Sequence, residues 1–416
     1  MAKRVELAAG LDLGSNWTRL VVVSLENGLV RYRTHAAAVS RGWHRGQIAD
    51  QSAVAAAVRQ VFEECSRRCE QPVISAVVGA GGPGVRCRQG RGVYDFGPRR
   101  RVQAEDLAQA LKFAAQSPLE PDRMLLQVLP QDFTLDGRPP MPHPVNVECE
   151  RLEAHALLIT TSRQEHQALV SAVQQADVQV EETVFEAMAA AYASILPEER
   201  AGGVALLDIG AHASNVVFYD GDSMLFAAGL PVSGDHFTRD ICAVHGVSYE
   251  EAERLKLSYG CAHTGPAGDN IIIGLPGEGG RAGREISRRA LVETLEARAD
   301  QLFEIVEACR AQHARDMALG EGLVLCGGGA LLEGMVQEAE RILGCPARLG
   351  VARGILDWPD ELCSPAWTAV AGLAMYSARL QLRRESSSGP GLFLSLIHIS
   401  EPTRLLSISY AVFCLK

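Results

Sequence analysis

Apolar and polar positions follow two rhythms along this chain, and their order predicts alternating strands and helices. Within Leu7–Leu25, LAAGLDLG and WTRLVVVSL read as two strands joined by a tight Gly turn. Residues 50–68 place Val54, Ala57, Val58, Val61 and Phe62 at helical spacing. PVISAVVG (Pro72–Gly79) predicts a buried strand ending in the turn Gly81-Gly82-Pro83-Gly84. Next come a basic, Gly-rich stretch over Gly90–Arg101 and a helix over Ala104–Ala115, with Glu105 and Asp106 in its first turn. A strand over Met124–Phe133 is interrupted by Pro130, and a Pro-rich loop covers 137–144. A strand over His155–Thr161 and a helix over Arg163–Asp177 follow.

The second half repeats the pattern in kind. A helix over Phe185–Leu196 precedes strands at Ala205–Ile209 and Asn215–Tyr219. Helices are predicted over Tyr249–Lys256 and Ile286–Arg315. A strand over Gly322–Cys326 runs into Gly327-Gly328-Gly329, then a helix over Leu331–Leu343 and a last one over Pro365–Arg384. The unit strand, Asp-x-Gly, turn, strand occurs twice, at Asp12 and at Asp208, which is a weak internal duplication.

After Arg384 the rhythm stops. Glu385–Gly391 (ESSSGPG) reads as a linker. Leu392–Lys416 is apolar, contains Pro402, and follows neither period. Its run SLIHISEPTRLLSISYAVFCLK resembles the translation of a sequencing adapter joined to a truncated gene. It is therefore set aside as a non-native tail.

Composition narrows the class. The 416 residues suggest two or three domains, and 47% hydrophobic with 22% charged residues is ordinary for a globular chain. The net charge of −10 disfavours a globally basic nucleic-acid binder, so no nucleic-acid partner is expected. None of the 11 cysteines has zinc-finger spacing, and unpaired thiols of a reducing compartment are expected. No signal peptide is evident, and no run of 18 apolar residues occurs, which predicts a soluble, cytoplasmic protein.

Three motifs carry chemistry. In Leu11-Asp12-Leu13-Gly14-Ser15-Asn16, a strand-end carboxylate precedes a turn whose N–H groups can cradle phosphate, while Asp12 can hold Mg²⁺ through water. Leu207-Asp208-Ile209-Gly210-Ala211-His212 is a second copy. Two such hairpins facing one another can clamp a polyphosphate–metal unit. Leu325-Cys326-Gly327-Gly328-Gly329-Ala330-Leu331 puts glycines at a strand-to-helix junction, where a flat ring can approach the backbone.

In this order the three motifs resemble the superfamily of actin, the heat-shock chaperone ATPases and the sugar kinases. Val184–Ser194 and Thr368–Tyr376 look like its two connecting helices, whose small residues suit a close crossing between lobes. VLPQDFTLDG (Val128–Gly137), RLEAHALLITTS (Arg151–Ser162) and PVSGDHFTRDICAVHGVSYEEAERLKLSYGCA (Pro231–Ala262) resemble the FtsA family, actin-like bacterial division proteins. That resemblance covers roughly Leu7 to Arg384.

It implies an α/β, two-lobe actin-like ATPase fold with an inserted small α+β domain in the first lobe. The first lobe would comprise 1–83, 162–197 and 375–390, with the insertion at 84–161. The second lobe would span 198–374, with an outer subdomain at about 236–318, then the linker 385–391 and the tail 392–416. ATP and Mg²⁺ are the implied cofactors. By position, Asp12 and Asp208 would orient the metal. Gly14, Ser15, Asn16, Gly210, Ala211 and His212 would offer N–H groups to phosphates. Glu186 would orient attacking water, and Glu253 and Lys256 would reach ribose and adenine beside Gly327, Gly328 and Gly329.

Trp17 stands where the family commonly has a phosphate-contacting Lys, and DIGAHASN replaces the usual DIGGGTTD. Both departures predict ATP binding with weak or no hydrolysis. Implied partners are the C-terminal peptide of FtsZ, further copies of the chain in filaments, and the cytoplasmic membrane face at the division site. Membrane contact would run through a C-terminal amphipathic anchor, which Leu392–Lys416 does not supply. The basic residues Arg281, Arg284, Arg288 and Arg289 at the start of helix 286–315 are the expected peptide contact. DLGSNWTRL also resembles the opening of exopolyphosphatases, although nothing downstream follows them. A PilM-like type IV pilus protein shares the insertion and a DIGA-type loop, and remains the alternative.

Overall fold

The computed structural model describes residues 6–265, 271–275 and 283–386; Arg281 and the tail 392–416 lie outside them. The chain opens with β1 (Leu7–Leu13) and β2 (Trp17–Glu26), then turns through Asn27-Gly28 into β3 (Leu29–Val39). Asn27 and Gly28 both have positive φ, the backbone of a primed hairpin turn. A small pair, β4 (Trp43–His44) and β5 (Gln47–Ile48), leads to α1 (Gln51–Arg68). Asp50 caps α1 by accepting the N–H groups of Ser52 and Ala53. The next strand is β6 (Ser75–Ala80).

A separate three-stranded unit follows: β7 (Arg86–Arg101), α2 (Ala104–Ala115), β8 (Arg123–Leu135) and β9 (Glu148–Ser162). Its antiparallel order is β7-β9-β8, and α2 packs Ala110, Leu111 and Ala114 against Val128, Phe133, Leu152 and Leu158. The chain then returns through α3 (Arg163–Gln174), β10 (Gln179–Phe185), α4 (Glu186–Ser194) and the single turn α5 (Pro197–Ala201). The first large sheet has the order β10-β6-β1-β2-β3, with β1, β6 and β10 mutually parallel where they pair.

The second sheet begins with β11 (Val204–Ile209), β12 (Ser214–Asp220) and β13 (Ser223–Leu230). Helices α6 (Gly234–His245) and α7 (Tyr249–Tyr259), the hairpin of β14 (Ile272–Leu275) and β15 (Arg284–Ser287), and α8 (Arg288–His313) form its outer part. Then come β16 (Gly322–Cys326), a 3₁₀ turn at Gly328–Leu331, α9 (Met335–Leu343) and β17 (Ala347–Leu349). Finally α10 (Thr368–Ser386) packs back on β1 and α4. The order β13-β12-β11-β16-β17 matches the first sheet: three antiparallel strands continued by two parallel ones. The duplication seen in two Asp-x-Gly turns therefore extends to both whole sheets.

Several elements differ from the sequence expectation. Gly90–Arg101, read only as basic and Gly-rich, forms three-quarters of β7 and pairs with β9. β8 continues through Pro130 because the ladder shifts register between Pro130 and Asp132, where a missing N–H is tolerated. β3, β10 and β13 were not foreseen. The helix expected from Leu331 starts only at Met335, since the glycines before it form the 3₁₀ turn.

Candidate functional site

The β1–β2 and β11–β12 turns lie at corresponding ends of the two sheets and face one cavity of about 570 Å³. Its walls include Asp12, Gly14, Ser15, Asn16, Glu186, Asp208, Gly210, Ala211, His212, Glu253, Lys256, Gly327, Gly328 and Gly329. All the residues expected at the nucleotide and metal site are thus gathered at one place, from segments more than 300 residues apart.

The floor of the cavity is acidic. Asp12 is the penultimate residue of β1, Asp208 sits in β11, and Glu186 opens α4 with its side chain packed against Gly79 and Gly81. Burial raises the Asp12 carboxyl above its ordinary range, although Arg19 opposes this. Burial together with the neighbouring Asp12 charge pushes Asp208 up to about 7. Burial, then the charges of Asp12 and Asp208, hold Glu186 well above a usual carboxyl. Arg19 reaches Asp12 at 3.5 Å and also stacks over Trp367. Among the described residues, neither Asp208 nor Glu186 receives a hydrogen bond or an ion pair. A buried Asp208 and two half-buried carboxylates, with Arg19 the cation at Asp12, are short of positive charge, and an oxygen-only donor set suits a hard divalent cation such as Mg²⁺.

The loops around this floor are built from turns and glycines. Gly210 N–H bonds the Ala213 carbonyl across its turn at 2.8 Å. Gly327 has φ +80°, and a Cβ there would stand 2.4 Å from the Ile209 carbonyl and 2.5 Å from Asp208 Oδ1, so only glycine brings this strand end against β11. Gly328 has nothing within 4 Å of its would-be Cβ and leaves an open backbone ledge.

Two expected contacts are already engaged within the protein. Lys256 Nζ lies 2.7 Å from Glu253 Oε2 and donates to Thr238 Oγ1 at 2.7 Å. His212 Nδ1 shares a 2.8 Å hydrogen bond with Ser15 Oγ, tying one turn directly to the other. Its Nε2 faces Asp235 at 3.7 Å, and burial lowers its pKa below the ordinary histidine value although Asp235 opposes this. Asn215, the second departure in the same loop, accepts the Gly82 N–H at 2.9 Å. Both departures from the family pattern thus bridge segments of different sheets. Trp17 lines the cavity and stays 44% exposed, without the charge a lysine would supply.

Sequence reasoning missed Arg19 and Asp235. A lone arginine inside the apolar run WTRLVVV was the available signal for the first. Arg288, expected on an outer basic patch, instead turns inward: it lines the cavity, donates to the Tyr259 carbonyl and pairs with Glu333. Of the described cluster, Arg284 and Arg289 remain exposed.

Two sheets of matching order, with paired Asp-x-Gly turns over a shared cavity, define an actin-like ATPase fold. Comparison with solved structures agrees. The PilM–PilN type IV pilus biogenesis complex superposes with TM-score 0.64 at 18% identity, covering 90% of this chain and 99% of the other. MreB5 of Spiroplasma citri bound to ADP gives 0.55 at 13% identity, covering 92% and 99%. Sequence comparison is narrower. The family model for cell division protein FtsA matches 205–372, and the model for the SHS2 domain inserted in FtsA matches 82–160. The type IV pilus assembly protein PilM model matches 144–263. Cell division protein FtsA of Pseudomonas aeruginosa is 29% identical over 390 residues, 93% of each chain. That of Borreliella burgdorferi is 28% identical over 378 residues, covering 90% and 92%. Over most of its length the chain is similar to the FtsA family.

Proposed function

We propose that this chain binds ATP–Mg²⁺ between the two turns and acts as a self-associating adaptor that tethers the FtsZ ring to the cytoplasmic face of the cell membrane during division. The carrying observation is the trio Asp12, Asp208 and Glu186, which line one cavity together with Arg19 as the cation beside Asp12. Asp12 and Asp208 would hold Mg²⁺ and its waters, and the turn N–H groups of Gly14–Asn16 and Gly210–His212 would face the phosphates. Bound Mg²⁺ would neutralise phosphate charge. The Gly327–Gly329 ledge, with Glu253 and Lys256 opposite, would flank the nucleoside. The Ser15–His212 bond must open for phosphate to pass between the turns, which fits slow or absent hydrolysis. No helix among the described residues is long and apolar enough to cross a membrane.

Glu186→Gln tests whether this carboxyl orients water. Whatever slow turnover the parent chain shows should fall at least tenfold while ATP affinity stays within about threefold, the signature of an interaction made only in the transition state. Equal losses of affinity and folding stability would make the residue structural.

The partner is tested by fluorescence anisotropy with the FtsZ C-terminal peptide. Leu291, Leu295, Leu302 and Val306 of α8 are consumed by the core, so its exposed basic start is the contact offered to an acidic peptide. Arg284→Glu with Arg289→Glu should weaken peptide binding about tenfold without changing ATP affinity. Unchanged peptide affinity would discard this contact. The pilus reading rests on the PilM family match and the PilM–PilN superposition. A PilN peptide run in parallel separates the two: saturable binding of PilN and none of FtsZ would favour the pilus role.

A further inference from the structure

Behind the nucleoside wall, three elements meet at a second polar cluster. His263 follows α7, Glu296 projects from α8 and Glu338 from α9. One ligand atom from each lies within 4.8 Å of the other two. Glu338 is 0% exposed, while His263 and Glu296 border solvent. His263 Nδ1 stands 2.8 Å from Glu338 Oε2 and 3.8 Å from Glu296 Oε1. A single ring proton at Nδ1 serves one of these oxygens, not both. A cation in its place would serve both.

The surroundings hold the three groups as ligands are usually held. Glu338 Oε1 is bound by Arg341, which leaves Oε2 facing His263. Glu296 receives the Thr264 N–H at 2.7 Å and the Thr264 hydroxyl at 2.7 and 2.9 Å. Orienting partners of this kind fix ligand direction at metal centres. Charge points the same way. Asp300 and the buried Glu338 share a single cation, Arg341, and Glu296 has only His263 as its nearby cationic partner.

We infer that His263, Glu296 and Glu338 form a structural site for a divalent first-row transition ion, of which Zn²⁺ fits an imidazole with two carboxylates best. The ion would take the Nδ1 lone pair of the neutral ring, whose one hydrogen then sits on Nε2, with no net loss of a proton. The ion would fasten the segment after α7 to α8 and α9. Tyr259, Gly260 and Leu331–Glu333, on either side of this clip, line the nucleotide cavity, so the metal would stiffen that wall without touching nucleotide.

The test uses the full chain after chelator treatment, titrated with Co²⁺ in excess Mg²⁺, with visible absorption as readout and Zn²⁺ as competitor. The expected result is saturable uptake of one Co²⁺, displaced by Zn²⁺, with a higher melting temperature. His263→Gln should abolish the band, Glu296→Gln should weaken uptake at least tenfold, and Thr264→Val should weaken it about tenfold through lost orientation. Asp208→Asn should leave it unchanged, which separates this site from the cavity floor. Absence of saturable uptake by the unaltered chain would overturn the inference. So would unchanged uptake in both His263→Gln and Glu296→Gln.

Discussion

Asp208→Asn is expected to raise the melting temperature of the ligand-free chain and to remove most of the stabilisation that ATP–Mg²⁺ supplies. The reason is the sign of the pKa shift. Asp208 is held up at about 7 in the fold, against 3.8 for its ordinary value, so the folded state retains a proton the unfolded chain releases. Below about pH 4 both states are protonated and the site costs nothing. Between that and pH 7 the cost grows as ionisation is forced, and above it levels off. Each pKa unit corresponds to ~1.4 kcal/mol, so relief in the variant is on the order of a few kcal/mol. Melting curves of variant and parent should therefore diverge from pH 5 to pH 8. Comparing the two cancels the opposite drift of the histidines whose pKa burial lowers, such as His35, His166 and His245. A constant gap across that range would show that Asp208 is not part of a crowded acid cluster.

Gly372→Val is expected to be the most damaging substitution outside the cavity. α4 and α10 cross where a Cβ on Gly372 would stand 1.8 Å from the Ala189 carbonyl and 2.5 Å from its carbon. Backbone cannot yield as a side-chain tip can, so the helices must separate. The cores around Ala190, Ala191 and Leu373 would open with them. Overpacking costs of about 1–3 kcal/mol are usual, and a backbone clash this close lies at or above the top of that range. Gly372→Ala should show a smaller loss in the same direction. Urea unfolding midpoints measure both, and an unchanged midpoint in the valine variant would refute the crossing.

The small residues that made this crossing legible in the sequence are local in effect: AMAAAYAS and AVAGLAMY announce close approach whatever they approach. The Asp-x-Gly turns were legible for the same reason, since a turn and its carboxylate lie within four residues. Asn27-Gly28 carried an equally local hairpin signal that would have given β3. Other features were out of reach. The Ser15–His212 bond joins residues 197 apart and depends on how the two sheets dock. Glu253 and Lys256 were read as groups free for ligand because spacing alone does not show Thr238 beside them. Arg288 was grouped with its neighbours in sequence, yet the turn of α8 sends it inward while Arg289 faces water.

Isothermal titration calorimetry of ATP against the full chain, with and without Mg²⁺, bears most directly on the cavity reading. One Mg²⁺-dependent site is predicted, weakened at least tenfold by Asp208→Asn. Binding that ignores Mg²⁺, or no heat at ATP concentrations of about 1 mM, would contradict it.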